Sequence, residues 1–440
     1  MSSRFSRRDF LKSGAAVASL AAVNVSVPAY SQDKAPSDKL NIAFVGTAGM
    51  RGADHFRAIN AAHENIVAIC DVDSKLLNAA GKQFAPQAQK FADFRKMLET
   101  VKDLDAVLIT TPDHTHAAPA VMAMKMGLHC YCEKPLAHDI REARVMQEVA
   151  AEKKVCTQMG TQIHAEDNYR RVVEMVQSGA VGKVHDVYVW CGKGWGLTPD
   201  AKRPTDTPPV PSYLDWDLWV GPAPFRPYNP CYLPANWRKW WDFGNGTLGD
   251  MAAHIMDLAF WALKLKNCKT IKIVDGPERN PEGCPLNLEI DYTFEADGEQ
   301  PAVNLHWLDG GKRPEILKQK NIPDRFMGVL FDGEKGQLFA DYGSRVLYPE
   351  ANFKDYKAPE PWIAKSLGHH NEWLQAIRDN KPEDCLCRFS YGGRLTETIL
   401  LGALAYRTGE ELVWDADAMK TNSEAANAML AVPYREGWTL

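Results

Sequence analysis

At 440 residues, with 45% hydrophobic and 24% charged positions and a formal net charge of -5, the chain holds enough apolar content for two or three packed domains and is not a disordered polymer. Its mild acidity gives no global electrostatic reason to expect a nucleic-acid partner. Thirteen tryptophans, most of them between Trp190 and Trp261, suit either a carbohydrate-lining surface or an aromatic core.

Residues 1–31 read as a removable export signal. Ser6-Arg7-Arg8-Asp9-Phe10-Leu11-Lys12 is a twin-arginine segment, followed by an apolar run over residues 14–27 and small residues around Ala29-Tyr30-Ser31. That run is shorter than the ~20 residues a bilayer span needs, so a cleaved signal and a periplasmic protein are expected, with no membrane association afterwards. A protein exported already folded keeps buried thiols, and the ten cysteines require no disulfide framework. Cys70, Cys130 and Cys132 lie in or beside apolar runs, where cysteine packs as a small hydrophobe. The C-x-C pairs at 130/132 and 385/387 do not follow zinc spacing, and the neighbouring His369-His370 lacks a carboxylate partner in register, so no metal is expected.

Residues 38–158 alternate strand and helix. An apolar run at 40–45 ends on Gly46 and opens the loop Thr47-Ala48-Gly49-Met50-Arg51-Gly52; a helix is predicted over 53–62 and a second strand over 66–70, ending on Asp71. Further strands are predicted at 106–111 and 129–132, with a helix at 117–126 between them. Continuous apolar strands separated by helices imply a doubly wound parallel sheet of Rossmann type. Strand, glycine turn, helix, strand, acid is the dinucleotide fingerprint, here G-x-x-G-x-x-G with Ala48 where a second glycine is usual. Gly46, Ala48, Gly49 and Met50 are thus the candidates to cradle a pyrophosphate at a helix N-terminus. Asp71 is placed to bond ribose hydroxyls and to repel a 2′-phosphate, which favours NAD; Arg51, able to meet a phosphate, leaves NADP open. Asp73 either shares the ribose or caps the next helix.

The boundary falls near residues 155–162, and residues 159–440 read as an α+β domain with an open, largely antiparallel sheet. Alternating strands are predicted over 184–190, 288–294 and 302–307, helices over 370–378 and 390–406, and long loops through the Pro/Trp-rich stretch 198–242. Three polar groupings belong to this architecture. Glu133-Lys134-Pro135 follows a strand at the carboxyl edge of the first sheet, where ligands bind. Thr111-Pro112-Asp113-His114-Thr115-His116 follows another, at the level of a nicotinamide. Gly249-Asp250-Met251-Ala252-Ala253-His254 opens a helix on which Asp250 and His254, four apart, share one face.

On the glycine loop, Cys70-Asp71, Thr111-Pro112, Glu133-Lys134-Pro135 and the Asp250/His254 helix, the chain resembles the glucose–fructose oxidoreductase/inositol dehydrogenase (Gfo/Idh/MocA) family over its whole length after the signal. Ala252 departs from a common glycine in the helix motif. The resemblance implies hydride transfer between tightly held NAD and a hydroxyl carbon of a sugar or polyol. It implies a base role for His254, an oxygen-stabilising role for Lys134 and a substrate-orienting role for Asp250. Thr111, Pro112, His116, Glu133 and Lys134 join the glycine loop and Asp71 as cofactor contacts. His164, Tyr169, Trp237 and Trp241 are candidate substrate contacts, with Trp195 and Trp240 as further stacking surfaces. The family fold also hosts redox-neutral glycosidases, for which His164, His114 or Tyr232 is the candidate second base. A small carbohydrate ligand is therefore expected, and an open sheet of this kind often pairs subunits into a homo-oligomer.

Overall fold

The computed structural model describes residues 38–298 and 300–440, so the export signal lies outside the described residues. Strands β1 (Asn41–Val45), β2 (Asn65–Cys70), β3 (Gln89–Phe91), β4 (Ala106–Ile109), β5 (His129–Cys132) and β6 (Thr157–Met159) form one parallel sheet in the order β3-β2-β1-β4-β5-β6. Every residue of β4 and all but the first of β1 are buried. Covered on both faces, such strands read as unbroken apolar runs. Val45 pairs with both Cys70 and Ile109, Ile109 with Cys132, and Cys132 with Met159. The strands thus finish level, and the loops after β1, β2, β4, β5 and β6 emerge side by side. The winding reverses between β1 and β4, which makes that edge the crevice where this topology binds ligands.

Two boundaries differ from the sequence pattern. The first helix begins at Gly49 and runs to Ala61, four residues before the predicted start at 53. Apolar periodicity marks only the turns that face the core, and the first turn here faces the crevice instead. The strand expected over 106–111 stops at Ile109, although Thr110 N–H still donates to the Val45 carbonyl at 2.8 Å.

The second sheet contains β7 (Val184–Cys191), β8 (Thr270–Asp275), β9 (Glu289–Phe294), β10 (Val303–Leu308), β11 (Met327–Gly333), β12 (Gly336–Ala340), β13 (Arg345–Tyr348), β14 (Leu412–Asp415) and β15 (Lys420–Thr421). Its order is β13-β12-β11-β7-β10-β9-β8-β14-β15. β7 and β10 are parallel, whereas the other neighbours are antiparallel. One face packs on helices Gly246–Ala262 and Phe389–Thr408, and helix Asp167–Gln177 packs on the first of these. The alternating burial along β9 shows that the opposite face is the more open one.

Packing crosses the boundary near residue 158. Trp373, Leu374, Ala376 and Ile377 of helix His369–Asp379 share a core with Ile42, Phe44 and Tyr131 of the first sheet and Phe56 of helix Gly49–Ala61. Helix Phe389–Thr408 lies against both Ile140–Lys153 and Gly246–Ala262. There Arg144 and Glu397 form a two-pronged ion pair with both bonds at 2.9 Å. The two sheets are therefore held in fixed relation by shared apolar burial and a forked charge contact. No described helix is long and apolar enough to cross a membrane.

Most of the tryptophan-rich stretch folds as a small core of its own. Trp216, Trp219, Tyr232, Trp237, Trp240 and Phe243 cluster with Leu214 and Val220. Tyr232, Trp240 and Phe243 lie against the guanidinium of Arg226, which is 1% exposed and paired with Asp242. Aromatic packing around a paired cation, rather than an open stacking surface, accounts for the density of these rings.

Candidate active site

The cofactor end is built by the turn after β1. Gly46 has φ +87°, and a Cβ there would stand 2.8 Å from the Thr110 backbone. Only glycine lets the loop pass that close to β4. Gly49 has φ +82° and opens the helix, whose N-cap, Ala48, offers no side-chain acceptor, and no acid lies in the first turn. The first-turn N–H groups are thus left without a side-chain cap, as an anion cradle requires. Asp71 secures this loop. Its Oδ2 accepts from Thr47 N at 2.9 Å and Thr47 Oγ1 at 2.7 Å, while Oδ1 accepts from Asp73 N at 2.9 Å. With about four lone-pair directions on a carboxylate, one remains for a ribose hydroxyl. Burial raises the Asp71 pKa, opposed by the bonds from Asp73 and Thr47. Asp73 is the helix cap, accepting from Lys75 N and Leu76 N, which settles its two expected roles in favour of the cap.

Beneath the loops lies a buried polar layer. Glu133 meets His55 Nε2 at 3.0 Å and accepts from Gln162 Nε2 at 2.6 Å. His55 Nδ1 in turn lies 2.8 Å from His370 Nε2, whose ring stacks on Tyr131. Burial works to raise the Glu133 pKa, but the His55 bond and nearby positive groups hold it well below the carboxylate range. Glu133 is thus an ionised anchor under the crevice, one residue before Lys134.

The chemistry-bearing side chains meet where the β5 loop faces the helix Gly246–Ala262. Lys134 Nζ donates to the Asp250 carbonyl at 2.7 Å and to Asp250 Oδ1 at 3.0 Å. Arg238 Nε donates to the same Oδ1 at 2.9 Å. Burial alone would raise the Asp250 pKa, yet the charges of Lys134 and Arg238 hold it far below normal, so the carboxylate stays ionised. His254, one turn on, is partly buried, and no described residue hydrogen-bonds its ring. Burial, reinforced by Lys134, pushes its pKa down to about 3, with Glu133 and Asp250 opposing. Its imidazole is therefore neutral at physiological pH and able to accept a proton. Asp113 faces Gly249 across the crevice; burial raises it to about 7 against the charges of Arg238 and Lys134.

Several predicted contacts are directed elsewhere. His116 lies with Nδ1 2.8 Å from the Pro135 carbonyl and Nε2 2.9 Å from the Thr111 carbonyl. It ties the β4 and β5 loops together, with both nitrogens engaged inside the protein. Thr111 Oγ1 likewise donates inward, to the Thr115 carbonyl, and Pro112 caps the turn Asp113–Thr115. Tyr169 is fully buried and donates to the His254 carbonyl at 3.2 Å, supporting the helix rather than a ligand. Trp241 points into the core, its Nε1 on the Asn280 carbonyl at 3.1 Å. His164 is buried on Asp257 at 2.9 Å and stacked on Trp261, with Tyr391 Oη also bonded to Asp257. Cys387 completes a His/Asp/Cys group at this point. Burial raises the pKa of its thiol well above the usual range. Trp195 and Trp237 flank the Arg238 guanidinium, at 5.8 and 4.2 Å. Arg238 and Asp113 were not singled out from sequence. The arginine's signal was its place in Trp237-Arg238-Lys239-Trp240-Trp241, eleven residues before the Gly249-Asp250 motif.

Among known proteins, the chain is 29% identical over 138 residues to inositol 2-dehydrogenase of Salmonella paratyphi B, covering 31% of this chain and 41% of that one. It is 28% identical over 204 residues to a glycosyl hydrolase family 109 protein of Shewanella baltica, covering 40% and 44%. In each case the match spans less than half the length of the relative. In fold it is similar to the WlbA dehydrogenase of Bordetella pertussis, solved with NADH and UDP-GlcNAcA. The TM-score is 0.61 at 17% identity, covering 86% of this chain and 100% of that one. Residues 40–161 match the model for an oxidoreductase family, NAD-binding Rossmann fold, and residues 165–440 match that family's C-terminal alpha/beta domain. With both halves matched end to end, the chain belongs to the Gfo/Idh/MocA oxidoreductase family.

Proposed function

We infer that this protein is an NAD-dependent oxidoreductase acting on a hydroxyl-bearing carbon of a sugar or polyol. The observation that carries the reading is the placement of Lys134 on Asp250, one helical turn from a neutral His254, at the carboxyl edge of the Rossmann sheet. The loop residues 46–50 and Asp71 fit NAD, which when bound supplies the hydride-accepting ring. Lys134 uses two of its three N–H donors on Asp250 and keeps the third for the reacting oxygen. There it stabilises the negative charge that develops as His254 removes the hydroxyl proton. Asp250, fixed as an anion by two cations, holds the lysine in line. Inositol 2-dehydrogenase among the relatives supports the polyol or sugar class.

The test is direct. Purified protein should release NAD(H) on denaturation, and a panel of sugars and polyols should reduce it, followed at the NADH absorbance. A protein that neither retains nor binds NAD sinks the reading.

A redox-neutral glycosidase is the second reading, supported by the family 109 relative. It requires a further base, and the three candidates are all engaged inside the fold. Tyr232 is enclosed at 1% exposure, His114 meets the Trp219 carbonyl at 3.0 Å, and His164 is held by Asp257. Turnover of a chromogenic glycoside without added NAD would favour it over a dehydrogenase.

The twin-arginine segment supports export to the periplasm with NAD retained as a prosthetic group. Replacing Arg7 and Arg8 together by lysine should leave the protein in the cytoplasmic fraction.

A further inference from the structure

Two arginines lie among aromatic rings in the 198–242 region, and they are used differently. Arg226 is 1% exposed, with Nη2 committed to Asp242 and within 3.5 Å of Glu282. Its charge is consumed by the fold. Arg238 also lies against aromatic rings, those of Trp195 and Trp237, but only its Nε is bonded, to Asp250. An arginine whose sole role was to hold that carboxylate would present two parallel N–H bonds. Here Nη1 and Nη2 have no partner among the described residues, and the side chain keeps 17% exposure.

The surrounding charges leave this fork unneutralised. Lys134 and Arg238 share the single carboxylate of Asp250, and Lys193 adds a further positive field there. Asp113, raised to about 7 by burial, supplies only a fraction of a negative charge near neutral pH. Three cations, Lys134, Arg238 and Lys193, thus face the ionised Asp250 and the deeper Glu133, with a planar two-armed donor lying against the rings of Trp195 and Trp237.

We propose that Arg238 is a specificity-determining residue whose Nη1/Nη2 fork binds a carboxylate on the substrate, so that the preferred substrate class is an acidic sugar such as a uronate or its glycoside. A planar carboxylate matches the guanidinium fork bidentately, whereas a neutral sugar leaves the Nη groups to water. Trp195 and Trp237 lie against the guanidinium at 5.8 and 4.2 Å, a cation–aromatic contact that helps to position it. This assignment rests on the oxidoreductase reading above.

The experiment compares D-glucuronate, D-glucose and D-glucose 6-phosphate as hydride donors and as competitive inhibitors of the wild-type holoenzyme, then repeats the series with Arg238→Gln and Arg238→Lys. The expected result is a glucuronate kcat/KM at least about tenfold above that of glucose. That ratio should fall by about 30-fold or more in Arg238→Gln and be partly restored by Arg238→Lys, mainly through KM. Tighter inhibition of the wild type by glucuronate than by glucose supports the proposal even if the variants do not fold. Equal turnover and inhibition by glucuronate and glucose, with NAD reduced by both, overturns the carboxylate site and leaves the oxidoreductase reading standing. A preference for the phosphorylated sugar overturns the carboxylate assignment in favour of phosphate. Reduction of NAD by none of the three, with no inhibition by them, removes both the proposal and the sugar substrate on which it rests.

Discussion

The crevice and the open face of the second sheet each hold a histidine among charged groups, and they drive it in opposite directions. His254 sits in the crevice, where burial is reinforced by the Lys134 cation and its pKa falls to about 3. His306 sits on β10 with Asp291 at 2.6 Å and Asp186 at 3.2 Å, stacked on Tyr188. Burial pulls His306 down too, but the bonds and charges of the two aspartates outweigh it and its pKa rises. The contrast shows that desolvation is common to both sites and the sign of the neighbours decides the outcome. In the crevice, burial and Lys134 together outweigh Glu133 and Asp250 and weaken the imidazole's hold on a proton, while on the open face Asp291 and Asp186 strengthen it.

The largest effect should come from removing the cation that sets the crevice's sign. Lys134→Met takes away the proposed oxygen donor, and kcat/KM for sugar oxidation should fall by about 10²–10³-fold or more. Arg238 still pairs with Asp250, so the carboxylate is not stranded and the melting temperature should change little. A loss within threefold, with NAD still bound, would show that Lys134 is structural.

The next effect belongs to the cofactor end. Asp71→Asn keeps the shape but weakens the three bonds that fix Thr47 and Asp73, and it removes the charge proposed to face the ribose. NAD affinity, measured by fluorescence titration, should drop by roughly tenfold. An unchanged affinity would show that Asp71 acts only on the loop's own conformation.

The crevice also makes a pH prediction. With His254 at about 3, the acid limb of kcat/KM should lie well below the ordinary histidine value of ~6.5. A limb near 6.5 that disappears in His254→Gln would mean that the imidazole is hydrated and unburdened by Lys134.

How much of this was visible in the sequence follows from the physics of each part. The parallel sheet was legible because β1 and β4 are covered on both faces and read as apolar runs. The Lys134, Asp250 and His254 constellation was legible because strand ends and helix spacing fix direction. The tryptophans were not, since a ring in a small core and a ring in a binding surface have the same composition; only the fold shows Trp241 on the Asn280 carbonyl and Trp237 under Arg238. His116 and Tyr169 misled for a related reason. Each lies beside the right motif, but partners that take their polar atoms, the Pro135 carbonyl for His116 and the His254 carbonyl for Tyr169, lie on other elements. Arg238 carries no such signal because its partner Asp250 is twelve residues away on another element.

The smallest effect, and the sharpest test of the comparison, lies on the open face. A histidine whose folded pKa is raised takes up its proton more readily when folded than when unfolded. Its contribution to stability is therefore fully present below the unfolded value of ~6.5 and is lost as pH rises through the folded pKa. His306→Gln removes that contribution without removing the side-chain bulk. The wild type should melt above the variant by about 1–2 °C at pH 5.5, because a partly exposed ion pair is worth on the order of 1 kcal/mol or less. The difference should shrink towards zero as the pH rises through the folded pKa. A difference that grows with pH would mean that burial wins on this face as it does in the crevice, and that Asp186 and Asp291 do not set its sign.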